Sequence, residues 1–258
     1  MKEYILITGA SSGIGHEMAQ QLAALKYNLI LTARSEDKLK TMQQELSSKH
    51  GVIVHYITKD LSKTYQAIEL YNEIKSANYQ VSHLANNAGF GNYGSFLETS
   101  LEEEMEMIEI NINSLVILTK LFAKDMADRK SGRIMNVSSL LALLPFPYYS
   151  VYSATKSFVL AFSETLAAEL EGSGVVVTAL TPGITETRFV SSEMRKTNFM
   201  KSTKPMPVKT VAKAGVELLL YGKGKKIVGF QNRFNAVLAK ILPSAAMMKV
   251  KKKLASIG

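Results

Sequence analysis

At 258 residues, 47% hydrophobic and 21% charged, the chain has the make-up of a soluble globular protein of one large α/β domain or two small ones. It contains no cysteine, which excludes a disulfide framework and thiolate chemistry and fits a reducing, cytoplasmic setting. The net charge of +9 is unevenly spread: residues 1–194 carry 16 basic and 21 acidic side chains, residues 195–258 carry 15 basic and one acidic, Glu217. No run approaches the ~18 apolar residues of a spanning helix. The opening stretch from Met1 to Gly9 is too poor in apolar residues for a secretory leader, so a soluble or at most surface-attached protein is expected.

Along the chain, short aliphatic and β-branched runs alternate with longer amphipathic ones. Strands are predicted near 4–7, 28–32, 52–57, 81–85, 133–137, 175–180 and 226–228. Helices are predicted near 13–26, 36–49, 62–78, 101–129, 153–171 and 209–221. Strands that lack alternation and are separated by helices belong to a parallel sheet covered on both faces. With no repeat or linker, the fold class is α/β, a doubly wound Rossmann-type single domain over 1–230, with 231–258 a basic amphipathic extension of it.

The first predicted strand runs straight into Thr8-Gly9-Ala10-Ser11-Ser12-Gly13-Ile14-Gly15 and then a helix. Glycines here permit a tight turn, close backbone approach to a pyrophosphate, and helix–strand packing. The helix N-terminus offers unpaired N–H groups to the anion. The spacing is G-x-x-x-G-x-G, so a purely structural turn is the alternative. The second strand ends in Thr32-Ala33-Arg34-Ser35 with no acid to hold a ribose 2′-hydroxyl. Arg34 stands where a 2′-phosphate would be gripped, which favours NADP(H) over NAD(H); a solvated loop arginine before a helix capped by Ser35 is the other reading.

Tyr152 and Lys156 lie four residues apart, on one face if helical. A phenol titrates near 10, and a neighbouring ammonium would lower that value toward neutrality, as a proton donor to an alkoxide needs. The Y-x-x-x-K pattern alone is weak, since Tyr71/Lys75 and Tyr221/Lys225 match it too. Only Tyr152 has a serine, Ser139, 13 residues upstream at the carboxyl end of an apolar strand, where ligands bind in such sheets.

In these motifs and their order the sequence resembles the short-chain dehydrogenase/reductase family, in its compact form, over about residues 3–230. The motifs are the Thr8–Gly15 loop, Asn86-Asn87-Ala88-Gly89, Asn111, Ser139, Tyr152, Lys156, and Pro182-Gly183 with Thr187. The resemblance implies Tyr152 as acid in reduction and base in oxidation, with Ser139 bonding the substrate oxygen. Lys156 would bind the nicotinamide ribose and depress the Tyr152 pKa, and Asn111 would hold a relay water. Asp60 would meet the adenine with Leu61 beside it, and Asn87, Ala88 and Gly89 would line the adenosine half. Pro182, Gly183, Thr185 and Thr187 would line the nicotinamide half. Taken singly, Asn111, Ser139 and Asp60 also read as ordinary helix and cap residues.

The expected reaction is hydride transfer between NADP(H) and a carbonyl or secondary alcohol of a hydrophobic small molecule. An NAD-dependent alcohol dehydrogenase, or a cofactor-sensing or membrane-docking module, is the alternative. The expected substrate lining is Leu140, Leu141, Pro145, Phe146, Tyr149, Phe189, Met194, Phe199, Met200 and Met206, unless these only pack a lid on the core. The resemblance also implies a homodimer or homotetramer paired through the helices bearing Asn111 and Tyr152.

Apolar residues at 234, 237, 238, 241 and 242 fall on one helical face, and Ser244 would cap a second helix ending in lysines. A subunit contact or core cover, a basic surface for anionic lipid, and an anionic substrate or carrier are all open for it. No nucleic-acid motif accompanies the charge, the four histidines (16, 50, 55, 83) have no metal-ligand spacing, and Ser139 lacks a hydrolase elbow. No nucleic-acid partner and no metal are therefore expected.

Overall fold

The computed structural model describes residues 2–187, 192–241 and 244–255. Its first half alternates β1 (Glu3–Thr8), α1 (Gly13–Ala24), β2 (Leu29–Ala33), α2 (Glu36–His50), β3 (Val54–Thr58), α3 (Thr64–Ser76) and β4 (Gln80–Asn86). Then come α4 (Leu101–Ile108), a π-helical segment (Glu109–Ser114), α5 (Leu115–Asp128), β5 (Gly132–Val137), α6 (Ser150–Glu169) and β6 (Val175–Thr181). Two short helices, α7 (Ser192–Arg195) and α8 (Asn198–Ser202), precede α9 (Val208–Tyr221) and β7 (Gly224–Ile227). The described chain closes with α10 (Phe230–Ile241) and α11 (Ser244–Ala255).

The strands form one parallel sheet in the order β3-β2-β1-β4-β5-β6-β7. Successive strand residues point to opposite faces, and both faces are dry. Ile5, Ile7, Leu29 and Leu31 pack under α1, α2 and α9 through Met18, Leu22, Leu39, Leu46 and Leu219. Tyr4, Leu6 and Ile30 face the other layer, α3 and α5, through Leu70, Ile74, Leu118 and Phe122. That double burial is why these strands read as unbroken apolar runs. A third cluster joins Met107, Phe146, Tyr149, Tyr152, Met194 and Ala255 at the carboxyl ends of the strands.

The sheet order reverses between β1 and β4, and the chain leaves these strands in opposite directions, opening a crevice above their carboxyl ends. A polar network holds the floor of that crevice. Asn86 Nδ2 donates to Asn136 Oδ1 and to Thr119 Oγ1, each at 2.9 Å, and Asn136 Nδ2 donates to Ser163 Oγ at 3.0 Å. These bonds fix β4, β5, α5 and α6 in register beneath the site.

Two expectations are corrected. The helix predicted over 101–129 is not continuous, because the π-helical segment at Glu109–Ser114 widens it around Asn111. The amide of Asn111 spans a gap there, donating to Phe90 O at 3.0 Å and accepting from Phe90 N at 3.2 Å. Such a widened turn is typical of helices reshaped around functional residues. Met206 does not reach the substrate lining but packs, partly buried, against the core, while its backbone pairs with Thr185 and Glu186.

Candidate active site

A cavity of about 750 Å³ occupies the crevice. Its first half is built by the β1–α1 turn. Gly9 sits at φ +66°, and a Cβ there would meet Ala88 Cα at 2.8 Å, so the turn can press against the end of β4 only as glycine. Thr8 Oγ1 accepts from the backbone N–H groups of Asn87 and Ala88, each at 2.9 Å, and Asn87 Nδ2 donates to Thr8 O at 2.9 Å. Ser12 holds the cap position of α1 but makes no side-chain bond to the helix. The first-turn N–H groups of α1 therefore keep their capacity for an anion, and Ser11, Ser12, Gly13 and Ile14 all line the cavity.

Arg34, Ser35 and Lys38 line the same half, with Lys59 and Leu61. Lys59 is paired with Glu73 at 2.6 Å and Glu69 at 3.1 Å, whereas no ion pair among the described residues involves Arg34 or Lys38. Neither Lys38 nor Lys59 was expected from the sequence. Lys38 arrives because it is the third residue of α2, in the first turn after Arg34 and the Ser35 cap. Asp60 does not line the cavity: its Oδ1 accepts from Ser62 N at 3.1 Å and from Ser62 Oγ at 2.9 Å, a local turn. Gly15 also stands off the lining and packs against Asn87 and Gly9 instead.

The middle of the cavity holds Ser139, Tyr152 and Lys156, each at least nine-tenths buried. The Ser139 and Tyr152 hydroxyls are hydrogen-bonded to each other. Ser139 also caps a short 3-10 turn (Leu140–Ala142), its Oγ accepting from Leu141 N at 3.2 Å. Tyr152 and Lys156 share one face of α6. Lys156 Nζ donates to Val137 O at 3.0 Å and lies 5.7 Å from the centre of the Tyr152 ring. Asn111 does not line the cavity but stands behind it, donating to Thr155 Oγ1 at 3.1 Å, and Thr155 Oγ1 donates in turn to Tyr152 O at 2.8 Å. Of the two sequence look-alikes, Tyr71 and Lys75 both bond Asp125 and lie outside this cavity, as does the Tyr221/Lys225 pair.

The electrostatics differ from the sequence expectation. Burial pushes the Tyr152 phenol up to about 12, opposed only by the bond from Ser139, and burial pushes the Lys156 ammonium down to about 8. Desolvation, not the Lys156 ammonium, sets the direction of the Tyr152 shift. With that shift the phenol holds its proton at neutral pH.

The second half of the cavity is apolar, lined by Leu140, Leu141, Phe146, Tyr149, Met194, Phe199 and Met200, with Pro182, Gly183, Thr185 and Thr187 between the halves. Pro145 stays off the lining and offers its carbonyl to Lys251, and Phe189 lies outside the described residues. Two further contributors had no signal in the sequence. Gly91 lets the loop after β4 lie flat on Tyr152, where a Cβ would come within 2.8 Å of the ring. The end of α11 folds back so that Ala255 O accepts from Tyr93 OH at 2.5 Å, and Ala255 joins the apolar cluster around Tyr149 and Tyr152.

A doubly wound sheet with a glycine-bordered crevice and a buried Ser-Tyr-Lys set defines a dinucleotide-fold oxidoreductase class. The family pattern described as short chain dehydrogenase matches residues 3–198, and the chain belongs to that family. It is 35% identical over 207 residues to the 17-beta-hydroxysteroid dehydrogenase type 3 of Mus musculus, covering 76% of this chain and 66% of that protein. It is 33% identical to the very-long-chain 3-oxoacyl-CoA reductase of Homo sapiens, covering 92% of this chain and 72% of that one. The chain therefore spans just under two thirds of the first of these relatives and somewhat more of the second. Among solved structures, it matches a short-chain dehydrogenase from Sphingobium yanoikuyae in complex with NADPH, with a TM-score of 0.81, 27% identity and 93% coverage of both chains.

Proposed function

We propose that this protein is an NADP(H)-dependent oxidoreductase that reduces the carbonyl group of a hydrophobic small molecule, with Tyr152 as the proton donor. The observation that carries the reading is the buried, hydrogen-bonded pair of Ser139 and Tyr152 at the junction of a polar, glycine-bordered half-cavity and an apolar one.

The residues present fit a dinucleotide. The Gly9 turn admits a pyrophosphate against backbone, the uncapped start of α1 supplies N–H groups, and Arg34 with Lys38 supplies two cations for a 2′-phosphate. Bound there, the cofactor would supply the hydride for the carbonyl carbon. Ser139 Oγ is suited to hydrogen-bond the carbonyl oxygen and favour charge developing on it. Tyr152 gives its phenolic proton to that oxygen, so one C–H and one O–H bond form as the carbonyl π bond is lost. Lys156, buried behind the phenol, stabilises the phenolate left by that transfer. Asn111 and Thr155 hold the backbone of Tyr152 in place.

The apolar half suits a hydrophobic substrate. Both relatives are named for such compounds, a hydroxysteroid in one and a very-long-chain 3-oxoacyl-CoA in the other, and the matched structure is named as an NADPH complex. Pairing of subunits through α5 and α6 belongs to the same reading, supported by Phe158, 40% exposed and stacked on Phe162 on the outer side of α6. The reading also places the protein in the cytoplasm. The test is titration of the purified protein with NADPH and NADH, followed by turnover on a panel of steroid ketones, 3-oxoacyl thioesters and simple aryl ketones. Tighter NADPH binding with turnover on at least one apolar ketone is expected. Preference for NADH, or turnover confined to small polar carbonyls, would contradict it.

A further inference from the structure

A surface helix of a globular protein normally turns its apolar stripe toward the core. Helix α9 does so: Val211, Ala212, Gly215, Leu218 and Leu219 are buried. Helix α10 is reversed. Its inward side is small and polar, with Ala236 buried and Asn232 Nδ2 donating to Val228 O at 2.7 Å beside Gly183. Its outward side carries Phe230, Phe234, Val237 and Leu238, which are 78, 55, 60 and 39% exposed. At 100° per residue these four fall within about a third of the helix circumference. They form one continuous apolar stripe facing away from the protein.

Exposed cations accompany the stripe along the chain. Arg233 is exposed on α10 itself, and Lys249, Lys252 and Lys253 are exposed on α11, with Val250 at 60% between them. The chain from 195 to 258 holds 15 basic side chains and one acid, and that acid, Glu217, is already paired with Lys226 at 2.9 Å. Both helices border the mouth of the cavity. Asn232 of α10 lies against Gly183 of the lining, and α11 packs on α8, which supplies Phe199 and Met200 to it.

We infer that α10 and α11 form a docking surface for an anionic phospholipid bilayer, the α10 stripe entering the acyl boundary and the α11 lysines meeting the headgroups. The charge decides between occupants. A second copy seated on the same face would bring two strongly basic regions together, whereas an anionic headgroup layer complements one. Among the described residues no helix is long and apolar enough to cross a membrane, so the contact is peripheral, as for amphipathic helices with an apolar face and a lysine-rich flank. Docking in this orientation turns the apolar half of the cavity toward the bilayer, where hydrophobic carbonyl compounds dissolve; that consequence, unlike the docking, rests on the function proposed above.

The test uses the full chain without any turnover assay. Vesicles of phosphatidylcholine containing about a third phosphatidylglycerol are compared with pure phosphatidylcholine by co-sedimentation. The chain has no tryptophan, so Phe234→Trp gives a single reporter on the stripe and Tyr65→Trp a control on exposed α3. Expected are binding to the anionic vesicles alone, release by high salt, and a blue shift of emission for Phe234→Trp but not Tyr65→Trp. Phe234→Ser with Val237→Ser, and separately Lys249→Gln with Lys252→Gln, should each weaken binding about tenfold or more. Absence of binding to anionic vesicles, or binding by both double variants as tight as that of the unsubstituted protein, would overturn the inference. So would loss of a lipid-independent dimer in Phe234→Ser with Val237→Ser, which would assign the stripe to a second copy.

Discussion

The ammonium of Lys156 lies 5.7 Å from the centre of the Tyr152 ring, and the buried pair titrates in the order opposite to free side chains: the lysine at about 8, the phenol at about 12. Between those values the lysine is neutral while the phenol still holds its proton. If carbonyl reduction needs both the Tyr152 proton and a cation to receive the phenolate, the rate should fall as pH rises through about 8. A pH profile of kcat shows this limb directly, and Lys156→Gln should remove it along with most of the activity. A limb only above 10 would mean that Lys156 keeps its charge in the working complex.

The same shift makes Lys156 a cost to the fold. Its pKa is lowered from 10.5 in the open chain to about 8 when buried, so the unfolded state binds the extra proton. Stability should therefore rise as pH increases from about 8 toward 10.5 on account of this group. Lys156→Met, of similar length and without charge, should stabilise the protein by about 1–3 kcal/mol at neutral pH while abolishing turnover. Urea unfolding of the two proteins at pH 7 measures it; a destabilised Lys156→Met would show that the bond to Val137 O outweighs the desolvation.

Arg34 and Lys38 reach one end of the cavity without an ion-pair partner among the described residues. Arg34→Ala and Lys38→Ala should each raise the Kd for NADPH by about 10- to 100-fold, as for a lost charge-assisted hydrogen bond. NADH, which lacks the 2′-phosphate, should bind almost unchanged. Calorimetric titration with both cofactors checks the pair; equal losses for both would place these cations elsewhere on the dinucleotide.

Gly91 presses on the Tyr152 ring so closely that even a methyl group would sit 2.8 Å from it. Gly91→Ala should lower kcat by about tenfold or more through a displaced phenol, in line with the sensitivity of reaction rates to small misplacements. Cofactor affinity should stay within about threefold, since the polar half of the cavity is untouched. Losing both together would point to a general loosening of the β4 loop.

The parallel sheet was legible because its strands are buried on both faces, leaving Tyr4–Ile7 or Leu29–Leu31 without any polar alternation to suggest an exposed side. The Gly9 turn was legible because backbone must approach backbone there. Much of what stayed hidden depends on contacts distant in sequence. The π-helical segment around Asn111 is set by its bonds to Phe90 and Thr155, and a helical pattern carries no mark of a one-residue widening. Asp60 was expected to meet the adenine, but its carboxylate bonds Ser62 two residues on. The direction of the Tyr152 shift was misjudged because spacing reveals a neighbouring ammonium and not how completely both groups are buried. The α10 stripe was read from its period, but only the fold reveals that it faces outward.

Single-turnover reduction by Tyr152→Phe tests the central claim most directly. The variant keeps the ring packed against Tyr149 and Gly91 and removes only the hydroxyl bonded to Ser139. With NADPH bound at unchanged affinity and an apolar ketone in excess, the rate of NADPH oxidation should fall by a factor of about 100 or more, as for loss of a positioned general acid. A Tyr152→Phe protein that oxidises NADPH at the wild-type rate would contradict the assignment of Tyr152 as the proton donor.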